Sequence, residues 1–442
     1  MAENKRLSWT KDKTTAGDKN LRSVELRYFG FGGGRGGDGG NGTEIRRGGE
    51  YMVIKRLSGG FGGGGGNGSG GAKTWVMVVA LKTNVRTFSG GFGGGENGVT
   101  TSSGSNLVSG GFGGGNAGGD KTFSDDCDGG TGAQNLGLPY LSAYLESVGS
   151  NFSNGANFAT AGSTIRPQNK TLSQSGYSPI SLNVQLVEYS DFKTKSMLIR
   201  KKGGVFKKLL PKEEYFSKAL YTFDIGHNDI TAGYNLNMTT KQVKAFIPDV
   251  LGQFSDVIRS VYKEGGRSFW IHNVGPLGCL AYMLDRYPMN AAQTDKFSCA
   301  KLFNEVSQYF NHKLNETVVQ LREELPKATI IYVDVYTVKY NLISHAQKYG
   351  FDEKSVIACC GHGGKYNFNN LARCGATKIV NGEKIVIAKS CKDPSVKIIW
   401  DGIHYTEAAK KWIFEQIANG KFSDPPISLK IVSRGNVSNH QY

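Results

Sequence analysis

Long apolar segments are missing from this sequence. The longest uninterrupted run, residues 75–81, is far shorter than the roughly 20 residues that a membrane-spanning helix needs, so we expect no transmembrane segment. The first residues, Met-Ala-Glu-Asn-Lys-Arg, lack the apolar core of a secretory signal peptide. The 62 glycines follow no Gly-x-y period, which excludes a collagen.

Metal-binding spacings are missing as well. None of the 7 histidines forms an H-E-x-x-H or H-x-H pair, and no two of the 7 cysteines stand in the C-x-x-C spacing of a zinc or redox site. We therefore expect neither a metal ion nor a cofactor.

The cysteines instead indicate disulfides. Six of the 7 lie in the C-terminal half, at positions 279, 299, 359, 360, 374 and 391. They predict up to three disulfides and an oxidising compartment, and all fifteen pairings stay open. Five glycosylation sequons point weakly the same way; they begin at Asn151, Asn169, Asn237, Asn315 and Asn436.

Positive charge exceeds negative charge throughout the chain. Lys and Arg number 53 against 37 Asp and Glu, a formal charge of +16. The excess is mostly scattered lysine, and its densest run lies within 200–212, directly before Glu213 and Glu214. This pattern favours a solvated loop over a nucleic-acid or membrane patch.

Residues 1–130 are Gly-rich and of low complexity, with 38 of the 62 glycines. The heptad Ser-Gly-Gly-Phe-Gly-Gly-Gly occurs at 58–64, 89–95 and 109–115. Glycine at this density predicts a mostly disordered segment, with apolar islands at 51–54 and 75–81 as candidate strands. Two Arg-Gly-Gly triplets, at Arg35 and Arg47, leave a nucleic-acid binder fused to a hydrolase remnant as a remote alternative. We expect no nucleic-acid partner.

From residue 131 onward, strand and helix patterns alternate. Short apolar runs at 219–224, 268–274 and 329–334 predict strands, and stripes from Thr240, over 302–325 and from Thr406 to Gly420 predict helices. Pro248 predicts a kink or a late start in the first of these helices. The alternation predicts an α/β domain over 131–428 with a parallel sheet and helices on both faces, followed by a tail at 429–442. Its site should lie at the carboxyl ends of the strands.

Three short segments carry candidate chemistry. Asp401 stands three residues before His404, so its carboxylate can fix the imidazole tautomer that a general base needs. Asn228, at a strand end, is a candidate oxyanion donor, and Gly162 offers a backbone N–H to the same charge. Taken singly, each also fits a turn or a helix cap.

Together these segments resemble the plant-type GDSL esterase/lipase family of SGNH hydrolases, from about residue 136 to 428. The resemblance rests on the following blocks: Leu138-Pro-Tyr-Leu-Ser-Ala-Tyr, Gly155-Ala-Asn-Phe-Ala-Thr-Ala-Gly162, Tyr221-Thr-Phe-Asp-Ile-Gly-His-Asn-Asp229, Asn273-Val-Gly-Pro-Leu-Gly-Cys279, Cys359-Cys-Gly and Trp400-Asp-Gly-Ile-His-Tyr-Thr-Glu407.

The resemblance implies a flavodoxin-like three-layer fold, secretion, glycosylation and metal-free hydrolysis of small-molecule or lipid esters. By position it implies His404 as the base, Asp401 as its orienting carboxylate, and Gly162 with Asn228 in the oxyanion hole. The family usually has Gln where this chain has His227.

The nucleophile block is the larger departure. The family supplies its attacking serine from Gly-Asp-Ser after the first strand, and no Gly-Asp-Ser occurs in this chain; no nucleophile is identified. A catalytically inactive hydrolase-fold protein is therefore the alternative hypothesis. We interpret the missing block and the missing signal peptide as one replacement of the N-terminal part, by gene rearrangement or a faulty gene model. Residues 75–81 are then the candidate for the first strand's place.

Overall fold

The computed structural model describes residues 75–80, 133, 136–146, 149–168 and 177–433, the first range as backbone alone. The Gly-rich heptads, the triplets at Arg35 and Arg47, the island at 51–54 and Cys127 lie outside the described residues. The division of the chain near residue 130, the disorder before it and the tail beyond 428 therefore remain predictions.

The central sheet of the described residues has six strands in the order β2-β1-β3-β4-β5-β8. The first five run parallel and β8 is antiparallel to β5. The order of the parallel strands is the flavodoxin-like doubly wound order, which confirms the predicted fold class. The bounds are β1 Trp75–Ala80, β2 Gly155–Asn157, β3 Ala219–Phe223, β4 Ser268–His272, β5 Thr329–Val333 and β8 Ser423–Asp424.

Strand β1 lies between β2 and β3, although it comes from the Gly-rich part of the chain. Val76 pairs with Gly155 of β2 on one side and with Leu220 of β3 on the other. Because both pairings are parallel, β1 ends at the same sheet edge as its neighbours. The candidate strand at 75–81 is thus confirmed, in the place expected for the family's first strand.

Helices fill the connections between the strands. They are α1 Leu182–Arg200, α2 Phe206–Leu209, α3 Tyr215–Lys218, α4 His227–Asn235, α5 Thr240–Lys263, α6 Ala281–Arg286, α7 Lys301–Glu324, α8 Val335–Ser344, α9 Glu407–Ala418 and α10 Leu429–Val432. Short 3₁₀ turns lie at Leu277–Cys279, Ala291–Gln293, Ala346–Tyr349 and Pro394–Val396.

Helix α5 starts at Thr240 and continues through Pro248, so of the two predicted alternatives, a kink or a late start, the late start is wrong. Thr239 and Gln242 form a capping box that stabilises the first turn. Val243 and Ile247, both buried, already pack into the core upstream of the proline. Pro248 lies on the exposed side of the helix. There, water can donate a hydrogen bond to the backbone carbonyl that the missing N–H of proline leaves without a donor.

The core is aromatic on both faces of the sheet. Its largest buried side chains include Phe223 and Trp270 on the strands and Phe254, Phe310 and Phe414 on the flanking helices. The ring centroids of Phe223 and Phe254 are 5.7 Å apart, and those of Trp270 and Phe414 are 6.0 Å apart, both in edge-on geometry. Helices α5 and α9 are thereby held on the strands that end at the site.

Three disulfides tie the C-terminal half together, as the cysteine count predicted. The pairs are Cys279–Cys299, Cys359–Cys391 and Cys360–Cys374. The last two stand at the base of a two-stranded hairpin formed by β6 Thr377–Val380 and β7 Glu383–Val386. Among the helices described, none has the length and apolar character that crossing a membrane requires.

Candidate active site

His404 and Asp401 form a closely bonded pair in the loop before α9. The imidazole Nδ1 lies 2.7 Å from Asp401 Oδ2, as the sequence predicted. The other carboxylate oxygen accepts the backbone N–H groups of Ile403 and His404, at 3.1 and 2.9 Å. The carboxylate is therefore fixed by its own loop, and it fixes the ring in turn.

The shape of the loop is set by Gly402 and by hydrogen bonds at the two ends of the loop. Gly402 has φ +89°, and a Cβ there would lie 2.3 Å from the ring of Phe368, so a larger residue fits neither the backbone nor the space. The N–H of Trp400 donates to the carbonyl of His404 at 2.7 Å. Thr406 caps α9 through Ala409. The chain thus turns tightly enough to bring positions 401 and 404 together.

The electrostatics favour an ionised Asp401. Burial acts to raise its pKa, but the imidazole of His404 and the two backbone N–H groups outweigh burial and lower the pKa to about 2. An ionised carboxylate beside Nδ1 holds the ring proton there. Nε2 then carries a lone pair, and in the described part of the chain this buried atom has no hydrogen-bond partner. No described serine therefore donates to it.

A second group of bonds joins the start of α4 to residues 162–166. The side-chain amide of Asn228 donates to the carbonyl of Ser163 at 2.7 Å, which leaves its other N–H available. The carboxylate of Asp229 accepts the backbone N–H groups of Ile165 and Arg166 at 2.9 and 3.0 Å. These three bonds bring Asn228 and the predicted Gly162 segment to one place.

Backbone geometry supports the same junction. Gly226 begins the turn into α4 with φ +120°, and a Cβ there would lie 2.5 Å from the ring of Phe310. Gly162 is buried, and its carbonyl accepts the N–H of Ser178. Among the described residues, nothing accepts a hydrogen bond from the N–H of Gly162. In a buried residue, an N–H without an acceptor among the described residues is uncommon.

Tyr282 of α6 links the two groups. Its backbone N–H donates to the carbonyl of Gly402 at 3.0 Å, and its hydroxyl donates to Asn235 of α4 at 3.0 Å. One residue thus contacts both the His404 loop, through its backbone, and the helix that begins at His227, through its side chain. A shift of either element would strain these bonds.

Buried charges beneath the strand ends are the feature that the sequence did not reveal. Asp224 follows β3, and its Oδ2 lies 3.7 Å from Nδ1 of His272, the last residue of β4. Burial acts to raise the pKa of Asp224, but Lys339, His272 and His227 outweigh it and hold the pKa well below its usual range. The sequence could have indicated the pair of Asp224 and His272, because both stand at the ends of predicted neighbouring strands. It held no indication that Lys339 is buried.

Lys339 and His227 connect these charges to the site. Nζ of Lys339 lies 5.3 Å from the centre of the Tyr405 ring, next to His404. His227, the neighbour of Asn228, accepts the backbone N–H of Gly275 at Nε2, at 2.7 Å. The departure from the family's usual Gln therefore keeps a hydrogen-bond acceptor at this position. Across the described residues, no three His, Cys, Asp or Glu side chains gather in a way that would hold a metal ion.

The described residues thus combine a doubly wound sheet with an Asp–His pair near its carboxyl edge, an arrangement that hydrolases of several folds use. Residues 93–417 match the family described as GDSL-like Lipase/Acylhydrolase. The chain belongs to this family.

Several relatives are similar over most of their length. A GDSL esterase/lipase of Arabidopsis thaliana is 61% identical over 298 residues, which is 67% of this chain and 78% of the relative. An Arabidopsis protein named alpha-L-fucosidase 3 is 54% identical over 65% of this chain and 77% of its own length. A GDSL esterase/lipase of Zea mays is 54% identical over 67% of this chain and 76% of its own length.

Proposed function

We propose that this chain is a GDSL-type esterase/lipase that hydrolyses carboxylic esters of small molecules or lipids. The observation that carries the proposal is the pair formed by Asp401 and His404, with a 2.7 Å bond at Nδ1 and an Nε2 that has no hydrogen-bond partner among the described residues. Family membership supplies the reaction class.

His404 acts as the general base. Its Nε2 takes the proton of the attacking hydroxyl and later returns it to the leaving alcohol. Asp401 holds the other proton on Nδ1 and stabilises the imidazolium that forms, since its pKa, lowered to about 2, keeps it ionised at neutral pH. The pair needs no metal ion to do this.

Asn228 and Gly162 receive the developing oxyanion. Asn228 has one amide N–H bonded to Ser163 and one left to donate. The N–H of Gly162 is buried without an acceptor among the described residues. Two fixed donors of this kind stabilise a tetrahedral oxyanion by several kcal/mol in acyl transfer, about 3 kcal/mol for each donor.

Secretion and glycosylation belong to the same proposal. Three disulfides favour an oxidising compartment. The sequon residues Asn151, Asn237 and Asn315 are exposed, as a glycan requires. The Gly-rich segment at 1–130 and the hydrolase domain at 131–428 remain the proposed division of the chain.

The test compares two reactions on the purified full-length chain. We expect hydrolysis of p-nitrophenyl acetate and butyrate and none of p-nitrophenyl α-L-fucoside, because the site offers a His–Asp pair where glycosidases commonly use two facing carboxyl groups. His404→Ala should abolish ester hydrolysis. His312→Ala, which removes a histidine whose side chain is 68% exposed, is the matched control and should leave the rate unchanged.

Two outcomes would contradict the proposal. A folded chain that hydrolyses neither ester supports the alternative of a catalytically inactive hydrolase fold. Cleavage of the fucoside that also depends on His404 would assign a glycosidase reaction instead.

A further inference from the structure

The hairpin of β6 and β7 is exposed on both faces. Every residue of Thr377–Val380 and Glu383–Val386 is exposed, and the two residues of the turn, Asn381 and Gly382, have φ +51° and +82°, as the tightest hairpin turns require. A two-stranded hairpin is marginally stable by itself. The stability of the hairpin therefore depends on the contacts at its two ends, where it joins the rest of the domain.

The base is fastened next to the site. Cys359–Cys391 and Cys360–Cys374 link both ends of the hairpin to one dipeptide. The N–H groups of Cys359 and Cys360 donate to the carbonyls of Ile399 and Trp400, at 2.9 and 2.6 Å. Asp401 follows immediately, so the hairpin projects from the segment that carries the His404 pair.

The side chains of the hairpin combine two properties. We define the basic hairpin as residues 371–392. It exposes five large aliphatic side chains: Leu371 at 94%, Ile379 at 74%, Val386 at 42%, Ile385 at 41% and Val380 at 39%. Its cations are Arg373, Lys378, Lys384, Lys389 and Lys392, against the single carboxylate of Glu383.

Protection of an open sheet edge explains only part of this composition. Lysines on edge strands prevent other strands from pairing with them, which accounts for Lys378 and Lys384. It does not account for aliphatic side chains exposed beside those lysines. Aliphatic groups next to cations match a surface that offers both hydrocarbon and negative charge.

We propose that the basic hairpin binds the surface of an anionic lipid layer. Ile379 pairs across the strands with Lys384, and Ile385 pairs with Lys378, so each face of the hairpin carries one isoleucine and one lysine. The hairpin therefore enters turn-first, with both isoleucines at the boundary between headgroups and acyl chains and the lysines paired with lipid phosphates. An acidic polysaccharide would supply negative charge for the lysines, but it has no hydrocarbon layer in which the isoleucines could be buried. The binding needs no hydrolysis, so it stands or falls separately from the ester hydrolase proposal.

The second basic region of the chain provides a matched control. Lys207 and Lys208 are exposed beside Phe206, which is 41% exposed. This region precedes β3, and its Leu209 carbonyl accepts the N–H of Phe152, which precedes β2. It therefore lies at the amino edge of the sheet, away from the site.

The experiment is co-sedimentation of the full-length chain with phosphatidylcholine vesicles, with and without phosphatidylglycerol. Binding is expected only to the anionic vesicles. Lys378→Gln with Lys384→Gln should weaken it about five-fold per lysine, and Ile379→Ser with Ile385→Ser about ten-fold per isoleucine. Lys207→Gln with Lys208→Gln should bind like wild type. Because every substituted side chain is exposed, thermal melts should be unchanged.

Each of five results would overturn the proposal. Absence of the wild-type chain from the pellet of anionic vesicles would show that the hairpin binds no lipid surface. Retained binding in both hairpin variants, or an equal loss in the control, would place the contact elsewhere. Retention on polygalacturonate without vesicle binding would assign an acidic polysaccharide. A dimer in solution that the hairpin variants abolish, again without vesicle binding, would assign a second copy of this chain.

Discussion

Asp401 and Asp229 have similar surroundings, but their pKa values are shifted in opposite directions. Each carboxylate accepts two backbone N–H groups, at 2.9–3.1 Å for Asp401 and at 2.9 and 3.0 Å for Asp229. Asp229 is buried, and the side chain of Asp401 is 13% exposed. Yet burial raises the pKa of Asp229 to about 7, whereas the pKa of Asp401 falls to about 2.

The difference lies in the imidazole. His404 lies 2.7 Å from Asp401. Among the described residues, the charged side chain that lowers the pKa of Asp229 is Arg166, and its guanidinium pairs with Asp249. Two N–H bonds thus do not offset the burial of a carboxylate, but two N–H bonds and a chargeable ring do. Asp401 is suited to orient a base, and Asp229 to hold residues 165 and 166 in place.

The largest expected effect follows from Asp401→Asn. An Asn amide can donate to Nδ1 and so place the ring proton on Nε2, the wrong tautomer for a base. We expect kcat for p-nitrophenyl butyrate to fall about 10⁴-fold, as in other triads. Asp229→Asn is the comparison and should retain most of the activity. Equal losses in the two variants would show that Asp401 has no special role.

Asp229 should also reverse the usual dependence of stability on pH. A carboxyl group whose folded pKa is raised holds its proton while the unfolded chain has lost it, so stability falls as pH rises from about 4 to about 7. Relative to Asp229→Asn, wild type should lose about 4 kcal/mol of unfolding free energy over this window. Urea denaturation at closely spaced pH values measures it. A difference that stays flat would mean that Asp229 is ionised throughout.

Asp401 should give the opposite slope at lower pH. Its folded pKa is depressed, so its contribution is complete above about pH 4 and is lost as pH falls towards about 2. Wild type should lose about 2 kcal/mol relative to Asp401→Asn over this range. The same loss measured in a His404→Gln background should vanish, because the counter-charge is gone. A slope that survives this substitution would assign the shift to the N–H groups.

The smallest effect is expected from Arg166→Ala. Its guanidinium pairs with Asp249 at 3.4 Å, with side chains 46% and 57% exposed, and such pairs contribute within about 0.5 kcal/mol. The backbone N–H that binds Asp229 is kept in alanine. The guanidinium of Arg166 is the smallest of the influences that lower the pKa of Asp229, so we expect a nearly unchanged pH slope between 4 and 7. A steeper slope would show that Arg166 partly replaces the missing imidazole.

Much of the fold was predictable because the burial pattern was regular. Strands β3, β4 and β5 lie within the predicted ranges 219–224, 268–274 and 329–334, where apolar residues predominate, and Thr406 caps α9 as predicted. Helix α1 gave no such signal, since its buried side includes Gln185 and Ser196. The hairpin has a clear Asn-Gly turn, but both of its faces are exposed, so apolar alternation is absent.

The site was predictable in part for similar reasons. The pair of Asp401 and His404 depends on local spacing, which a sequence displays directly. The buried charge of Lys339 depends on tertiary packing against strand ends far away in the chain, which spacing does not display. The choice among fifteen disulfide pairings likewise required the positions of the loops.

The most direct measurement is labelling of the full-length chain with a fluorophosphonate probe, followed by mapping of the labelled peptide by mass spectrometry. The account predicts one labelled residue in wild type, which identifies the nucleophile, and no labelling in His404→Ala, because the hydroxyl then has no base. Absence of label in a folded wild-type chain, or equal labelling in His404→Ala, would contradict the assignment of His404 as the general base of an ester hydrolase and of Asp401 as the carboxylate that orients it.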